Sequence, residues 1–406
     1  MIQLHEHYRR PDWVRRLNYM GDSVLGAHHL VSLDPERLID QARAATGLSD
    51  FGDFDGDWRA RLERLVEEIE RTARLHLVGR LMTRQEILRG LISRLLLTQR
   101  HRANPAIARE QIAAPIVIAG PARSGTTILH ELLSLDPAAR GPRGYEALLP
   151  VPPAQLSGDL QRQIAECEQE LWSDVQPEFA AIHELAAHLP MECIAIRQPS
   201  FGGFHWAMIA DIPGFVPDFP AAMNYHRAVL QSLQHGTAPR TWVLKTPVYL
   251  MMLDLLYATY PDAAVIMTHR DPIKTLPSGL STLATVRWLR SDHVELEKMD
   301  GTGAGILLFA LMQREQAGTL PGRLVHVQFA DLMRDPVAAI ERMYGELGRA
   351  FRPEHADKIR DYLAHKPKGK FGAHKYSAED WGLDSARIRR ESAPYMEYYR
   401  VPREDS

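Results

Sequence analysis

Seven residues at 121–127 combine residue types that bind phosphate-like anions. The segment reads P-A-R-S-G-T-T, follows the apolar run 116–119 and precedes an apolar helical pattern over 128–135. A strand, a glycine-bearing turn and a helix start direct backbone N–H groups at an anion. The glycines fit the triphosphatase loop G-x-x-x-x-G-K-[ST], but Thr126 stands at its lysine position. We therefore predict an anion-binding loop without the usual kinase or ATPase chemistry.

A second anion site is predicted where another apolar run ends. Arg270 follows the run 263–268, and Ser278 lies eight residues further on. The planar guanidinium of an arginine suits phosphate oxygens, and the turn between these residues could bring both onto one anion. Taken alone, a loop arginine more often makes a surface ion pair, so this prediction depends on the loop at 121–127.

Strand and helix patterns alternate around both sites. The predicted strands are 116–119, 242–244, 263–268 and 324–329, and the predicted helices between them include 249–260, 306–316 and 337–347. This rhythm predicts an α/β fold with a mostly parallel sheet covered by helices on both faces, like that of P-loop nucleotide kinases. Ligands of such sheets bind at the carboxyl ends of the strands, where both anion sites lie.

The chain is predicted to have two parts. Residues 1–110 form a helical N-terminal region, with a helix start at Asp34-Pro35-Glu36 and apolar residues three and four apart over 57–101. Residues 111–406 form the α/β domain. Within it, the Pro-rich and aromatic-rich segment at about 141–239 is predicted as an insert of helices and loops over the active edge.

Composition excludes several classes of protein. Lys and Arg number 48 against 51 Asp and Glu, so no global positive field attracts nucleic acid. We expect no membrane span and no signal peptide, because the apolar runs are short and the first residues are polar. The 2 cysteines cannot form a disulfide framework. We expect a cytoplasmic protein, and the sequence leaves its oligomeric state open.

Together, the two anion sites resemble those of sulfotransferases that use 3′-phosphoadenosine 5′-phosphosulfate (PAPS). The bacterial branch, related to the tyrosylprotein and heparan-type enzymes, shares further phrases with this chain: L-K-T-P at 244–247, T-H-R-D-P at 268–272 and Y-S-A-E-D at 376–380. The resemblance covers roughly residues 113–385. It implies sulfuryl transfer from PAPS to an alcohol or phenol, release of 3′-phosphoadenosine 5′-phosphate (PAP), and no metal requirement.

The resemblance also implies roles for individual residues. The 5′-phosphosulfate would be held by Arg123, Ser124, Gly125, Thr126 and Thr127, and the 3′-phosphate by Arg270 and Ser278. The loop containing Lys368, Gly369 and Lys370 departs from the family's Arg-Lys-Gly element, and it could close over the 3′-phosphate or the purine.

Catalysis is assigned by the same resemblance. Pro247 replaces the histidine that many members carry after Lys-Thr, so Glu146 is the predicted general base, as in the tyrosylprotein and heparan-type enzymes. Lys245 is predicted to stabilise charge on the transferring group, and Arg123 to act with it. Glu146 could instead be a solvated or capping carboxylate, and Lys245 a rim charge.

The sequence does not identify the acceptor, and we expect a small or lipid-like molecule with a hydroxyl group. An apolar pocket for it could include Phe201, Phe204, His205 and Trp206, although aromatic core is the more frequent role. His183 and His188 are five residues apart, which does not fit a zinc helix, so we assign them to structure. Two alternatives remain open: a metal-dependent nucleotide kinase or triphosphatase on the same scaffold, and a non-catalytic nucleotide-binding protein.

Overall fold

The computed structural model describes residues 2–299, 302–366 and 377–404. Its N-terminal part is helical, with α1 (Leu4–His7), α2 (Asp12–Ser23), α3 (Pro35–Thr46), α4 (Trp58–Glu68) and α5 (Leu77–Ala103). The predicted start of α3 is confirmed: the Asp34 side chain accepts a hydrogen bond from the Arg37 N–H, and Pro35 opens the first turn. The apolar periodicity over 57–101 is divided between α4 and α5, because Arg74 has a left-handed φ of 46°.

A five-stranded parallel sheet follows. Its strands are β1 (Ile116–Ala119), β2 (Ala139–Arg140), β3 (Thr241–Lys245), β4 (Ala264–His269) and β5 (Leu324–Gln328). They lie in the order β2-β3-β1-β4-β5, and every pairing is parallel. The predicted α/β fold is therefore confirmed. The edge strand β2 escaped prediction, because two residues are too few to carry a periodic signal.

Helices cover both faces of this sheet. In β1, Val117 and Ala119 pack into one apolar cluster, whereas Ile116 and Ile118 pack into another on the opposite face. The helices that share these two clusters with the strands include α6 (Thr126–Leu133), α13 (Leu253–Thr259), α15 (Thr302–Gln316), α16 (Phe329–Arg334), α17 (Pro336–Glu346), α18 (Pro353–His365) and α19 (Ser385–Tyr398). Helix α14 (Pro272–Trp288) follows β4 and packs against α19. A strand covered on both faces has to be apolar on both sides, which explains its continuous apolar run.

The segment at about 141–239 is built of helices and loops. Its helices are α7 (Gly144–Leu148), α8 (Gly158–Val175), α9 (Phe179–Ile182), α10 (Cys193–Arg197), α11 (His205–Ile209) and α12 (Phe219–Gln234). Residues of α11 share one apolar cluster with α3, α4 and α5. This packing joins the N-terminal helices to the segment that lies over the sheet. The boundary near residue 110 stays a prediction, and it falls between α5 and β1.

Candidate active site

The loop at 120–125 links β1 to α6 in a conformation that needs glycine at two points. Gly120 has a φ of 150°, and a Cβ there would lie 2.1 Å from the Thr268 hydroxyl oxygen. Gly125 has a φ of 88° and is the N-cap of α6, with no side-chain cap. The first N–H groups of α6 thus receive no side-chain cap, and their predicted binding of an anion stays a prediction.

Ser124 fastens this loop to the neighbouring strand β4. Its hydroxyl lies 2.6 Å from the Pro121 carbonyl oxygen and 2.5 Å from the Thr268 hydroxyl oxygen. The side chain is fully buried. Ser124 therefore shapes the loop, and it is the backbone of the loop that remains available for an anion.

Lys245 reaches the first turn of α6, which follows the loop, from the end of β3. It is opposite Ile118 in the register with β1, and its Nζ donates a hydrogen bond to Thr127 Oγ1 at 3.1 Å. The residue is only 2% exposed. A buried ammonium group therefore lies beside the first turn of α6, and its predicted role in stabilising charge on the transferring group stays a prediction.

The carboxylate paired with Lys245 is Glu192, the N-cap residue of α10. His183, at the end of α9, places Nε2 3.5 Å from Glu192 Oε1. Burial alone would raise the pKa of Glu192, but Lys245 and then His183 outweigh it and hold that pKa well below its ordinary value. Lys245, Glu192, His183 and Thr127 thus form one polar cluster.

Sequence reasoning missed Glu192 and treated His183 as purely structural. Arg123 lies at the same place, since its guanidinium donates to the Ile182 carbonyl at 2.5 Å, one residue before His183. No spacing in the sequence relates Glu192 to Lys245; the contact exists only because α10 packs beside the end of β3. The described residues contain no group of His, Cys, Asp and Glu suited to a metal ion.

Glu146, the predicted base, lies in the first turn of α7. Its Oε2 accepts the Arg143 backbone N–H at 2.8 Å, and its Oε1 pairs with the Arg140 guanidinium. Arg140 in turn stacks on Trp242, with its guanidinium carbon 4.5 Å from the ring centre. Both carboxylate oxygens therefore have structural partners, which is the capping role weighed from the sequence. Catalysis by Glu146 stays a prediction.

The predicted 3′-phosphate site lies one strand further along the sheet. Arg270 follows β4, and its Nη1 donates to the Arg123 carbonyl oxygen at 2.9 Å, so the two predicted anion sites adjoin. Its Nε and Nη2 donate to the two carboxylate oxygens of Glu404 at 2.8 and 2.9 Å. Ser278, on α14, is fully buried, and its hydroxyl has no hydrogen-bond partner among the described residues.

The remaining predicted residues fall elsewhere. Lys368, Gly369 and Lys370 lie outside the described residues. Phe201 and Trp206 are fully buried in the cluster with the N-terminal helices, and Phe204 packs against the cluster on one face of the sheet. His205 lies 3.4 Å from a carboxylate oxygen of Glu86. This arrangement gives Phe201 and Trp206 no open surface for an acceptor.

An apolar cavity of about 410 Å³ lies between α14, α15 and α19. Leu276, Phe309, Trp381 and Ile388 are among its lining residues. Neither Lys245 nor any residue of the 121–127 loop lines it, so it does not open onto the cluster around Lys245. No helix within the described ranges is long and apolar enough to span a bilayer.

Comparison with known proteins gives one family. A sequence model described as the sulfotransferase family matches residues 115–353. Over 281 residues, the chain is 24% identical to omega-hydroxy-beta-dihydromenaquinone-9 sulfotransferase Stf3 of Mycobacterium bovis, covering 65% of this chain and 70% of the relative. An equal match is found to Stf3 of Mycobacterium tuberculosis.

Solved structures agree with this match. The crystal structure of sulfotransferase STF1 from Mycobacterium tuberculosis is similar with a TM-score of 0.70 and 26% identity, over 88% of this chain and 98% of that one. Sulfotransferase STF9 from Mycobacterium avium has the same fold, with a TM-score of 0.77 at 24% identity, over 91% of this chain and 98% of that one.

Proposed function

The chain belongs to the sulfotransferase family, and from that premise we propose that it moves a sulfuryl group from PAPS to the hydroxyl of a lipid-like acceptor. The loop at 121–127 lacks the kinase lysine, which agrees with sulfotransferase activity. The family match disfavours both the kinase alternative and the non-catalytic alternative. The observation that carries the proposal is the contact of Lys245 with Thr127 at 3.1 Å, which places a buried cation at the anion-binding loop.

The donor would lie across the carboxyl ends of β1 and β4. Backbone N–H groups at the start of α6 would hold the 5′-phosphosulfate, with Arg123 and Thr127 beside them. Arg270 and Ser278 would hold the 3′-phosphate. Two features support this placement: Arg270 already contacts the loop through the Arg123 carbonyl, and the buried Ser278 hydroxyl lacks a partner among the described residues. Buried hydroxyl groups usually have one.

The transfer step forms a bond from the acceptor oxygen to sulfur while the bond from sulfur to the 5′-phosphate oxygen breaks. The electron pair of that second bond leaves with PAP, so negative charge grows on the phosphate. Lys245 would turn from Glu192 toward this charge. Because that ammonium group is buried away from water, its attraction for the growing charge would be stronger than that of a solvated lysine. Positioning and charge stabilisation dominate such transfers, and no metal ion is required by the proposal.

The hydroxyl proton needs an acceptor, and two carboxylates compete for that role. Glu146 is the sequence-based assignment, but its oxygens are held by Arg143 and Arg140. Glu192 is in contact with Lys245. When Lys245 turns to the donor, Glu192 loses its main charge partner, and burial then raises its pKa toward the range of a general base. We favour Glu192 on this geometry, with His183 positioning it.

The acceptor class is inferred from a relative and from the sequence. The relative Stf3 is named for an omega-hydroxylated dihydromenaquinone, which is a long and mostly apolar molecule with a terminal hydroxyl. An apolar acceptor is also what the apolar character of the N-terminal helices and the 141–239 segment favours. We therefore propose a hydroxylated, largely apolar small molecule as the acceptor.

The test is transfer of labelled sulfate from PAPS to a panel of acceptors. The panel contains hydroxylated prenyl lipids, sterols and simple phenols, each measured with and without a metal chelator. ATP with magnesium serves as the parallel donor arm. We expect chelator-resistant labelling of the apolar alcohols and no phosphate transfer from ATP. Absence of PAP binding together with absence of labelling on every acceptor would refute the proposed donor and the proposed acceptor class.

A further inference from the structure

The Glu404 carboxylate binds the guanidinium of Arg270 side-on, in the geometry in which a phosphate would bind it. Two parallel N–H donors of the arginine face the two carboxylate oxygens, at 2.8 and 2.9 Å. A side-on pair of this kind uses the same donors that bind two oxygens of a phosphate. Resting on the proposed function, we infer that the Glu404 carboxylate is a placeholder for the donor's 3′-phosphate and leaves the site when the donor binds.

The backbone contacts of Glu404 explain why its carboxylate lies at Arg270. The Glu404 N–H donates to Asp271 Oδ2 at 2.8 Å, and the Glu404 carbonyl oxygen accepts a hydrogen bond from Arg389 on α19. Arg389 also pairs with Asp271. Two arginines and two carboxylates thus form a charge-balanced group in the resting protein. Removal of Glu404 leaves the Nε and Nη2 donors of Arg270 without an anionic partner and the group with one excess positive charge, which is the state that favours an anion.

The carboxylate satisfies only part of the site. Ser278 lies on α14, the helix that begins two residues after Arg270, and its buried hydroxyl has no partner in the described ranges while Glu404 is in place. A phosphate monoester has one more terminal oxygen than a carboxylate and carries greater charge. On the proposed assignment of Ser278 to the same site, a phosphate bound to Arg270 would still have an oxygen to accept a hydrogen bond from the serine hydroxyl. The unsatisfied serine marks the difference between the placeholder and the expected ligand.

The chain between α19 and Glu404 is suited to a local movement. Val401 is buried in the apolar cluster of the sheet, and its N–H donates to the Met396 carbonyl at 2.8 Å. Pro402 and Arg403 are exposed, and Glu404 is half-buried. Glu404 can therefore swing away about the exposed pair without withdrawing Val401 from the core, so the displacement exposes little apolar surface.

A permanent positioning role for Glu404 predicts the opposite result, so one variant separates the two. We compare Glu404→Gln with the wild-type chain by calorimetric titration with PAP, which has the 3′-phosphate, and with adenosine 5′-phosphate, which lacks it. Glu404→Gln should bind PAP about tenfold more tightly, because no carboxylate competes for Arg270. Its affinity for adenosine 5′-phosphate should stay within twofold. Asp254→Asn is the control. Asp254 also accepts hydrogen bonds from an arginine, Arg314, through both carboxylate oxygens, and this pair is remote in sequence from Glu404.

Each other outcome counts against the inference. Weaker PAP binding in Glu404→Gln would make Glu404 a positioning residue, and unchanged binding would make it irrelevant to the site. Equal tightening for both nucleotides would detach the effect from the 3′-phosphate. Absence of PAP binding to the wild-type chain would instead refute the proposed donor. As a second readout, PAP should speed hydrogen exchange in the peptide that contains Glu404, because its N–H loses Asp271; unchanged or slower exchange would contradict displacement.

Discussion

The two ends of the proposed donor site each hold a cation paired with a carboxylate, but in different surroundings. The Lys245 side chain is 2% exposed and that of Glu192 18%, whereas Arg270 and Glu404 are 17% and 31% exposed. Glu192 begins a helix inside the fold, and Glu404 follows an exposed stretch of chain. The buried pair can alter proton affinity, while the more open pair can exchange one anion for another. On the two proposals, the same kind of contact would serve chemistry at one end and ligand exchange at the other.

Replacement of Lys245 should give the largest effect, because it removes the buried cation at the site of bond cleavage. In Lys245→Met we expect kcat to fall by about 10²–10³, as for loss of a preorganised donor at a developing charge. PAP affinity should change far less. Steady-state kinetics and PAP titration measure the two quantities. Lys358→Met, which removes an exposed lysine paired within one helix, is the control. An equal loss in PAP affinity and kcat would make Lys245 a binding residue only.

The next effect distinguishes the two candidate bases. Glu192→Gln keeps the size and one acceptor oxygen of the side chain but cannot take a proton. We expect kcat to fall by about 10² or more in Glu192→Gln. Glu146→Gln should reduce kcat little and lower the unfolding free energy by about 1 kcal/mol, the usual value of a helix cap. Kinetics with circular dichroism melting measure both. A collapse of turnover in folded Glu146→Gln, with Glu192→Gln active, would restore the sequence-based assignment.

At the open end of the site, the expected effect is on binding. Arg270→Ala should weaken PAP binding by about 10- to 100-fold, the range of one or two charged hydrogen bonds. Adenosine 5′-phosphosulfate, which has no 3′-phosphate, should be affected much less. Arg314→Ala, which breaks an exposed pair with Asp254, tests for a general effect of losing a charge. Equal losses on both nucleotides would contradict the assignment of Arg270 to the 3′-phosphate.

The sequence was informative where the chemistry is contiguous. The loop at 121–127 and the strands β1, β3, β4 and β5 were predicted, because their signals lie within a few neighbouring residues. Glu192 and Glu404 were not, because they are 53 and 134 residues from the cations they contact. Only the packing of α10 and the return of the chain after α19 create those contacts.

The aromatic residues around position 201 are adjacent in sequence, yet their role could not be predicted from the sequence. Phe201 and Trp206 have the residue types of an acceptor pocket, and local sequence cannot tell such a pocket from a core. The structure places both against the N-terminal helices, with Trp58 near Phe201. The deciding information is which helix packs over them, and that depends on residues more than one hundred positions away.

The smallest expected effect is the pH dependence that the Lys245–Glu192 pair should add to the stability of the fold. The pKa of Glu192 is below its ordinary value of 4.5 in the folded protein, since Lys245 outweighs burial. A depressed carboxyl pKa stabilises the folded state above the unfolded pKa, and this stabilisation is lost as the pH falls below about 4.5. The unfolding free energy of the wild-type chain should therefore fall more steeply than that of Glu192→Gln between pH 5 and pH 3, by on the order of 2 kcal/mol. Urea unfolding at a series of pH values measures the difference.

The control is Glu391→Gln, which removes an exposed carboxyl in α19 that is paired with Arg387. This variant should keep the wild-type slope. Parallel curves for the wild type and Glu192→Gln would mean that the pair at Lys245 carries no more linkage than a surface contact, and the contrast between the two ends of the site would lose its energetic basis.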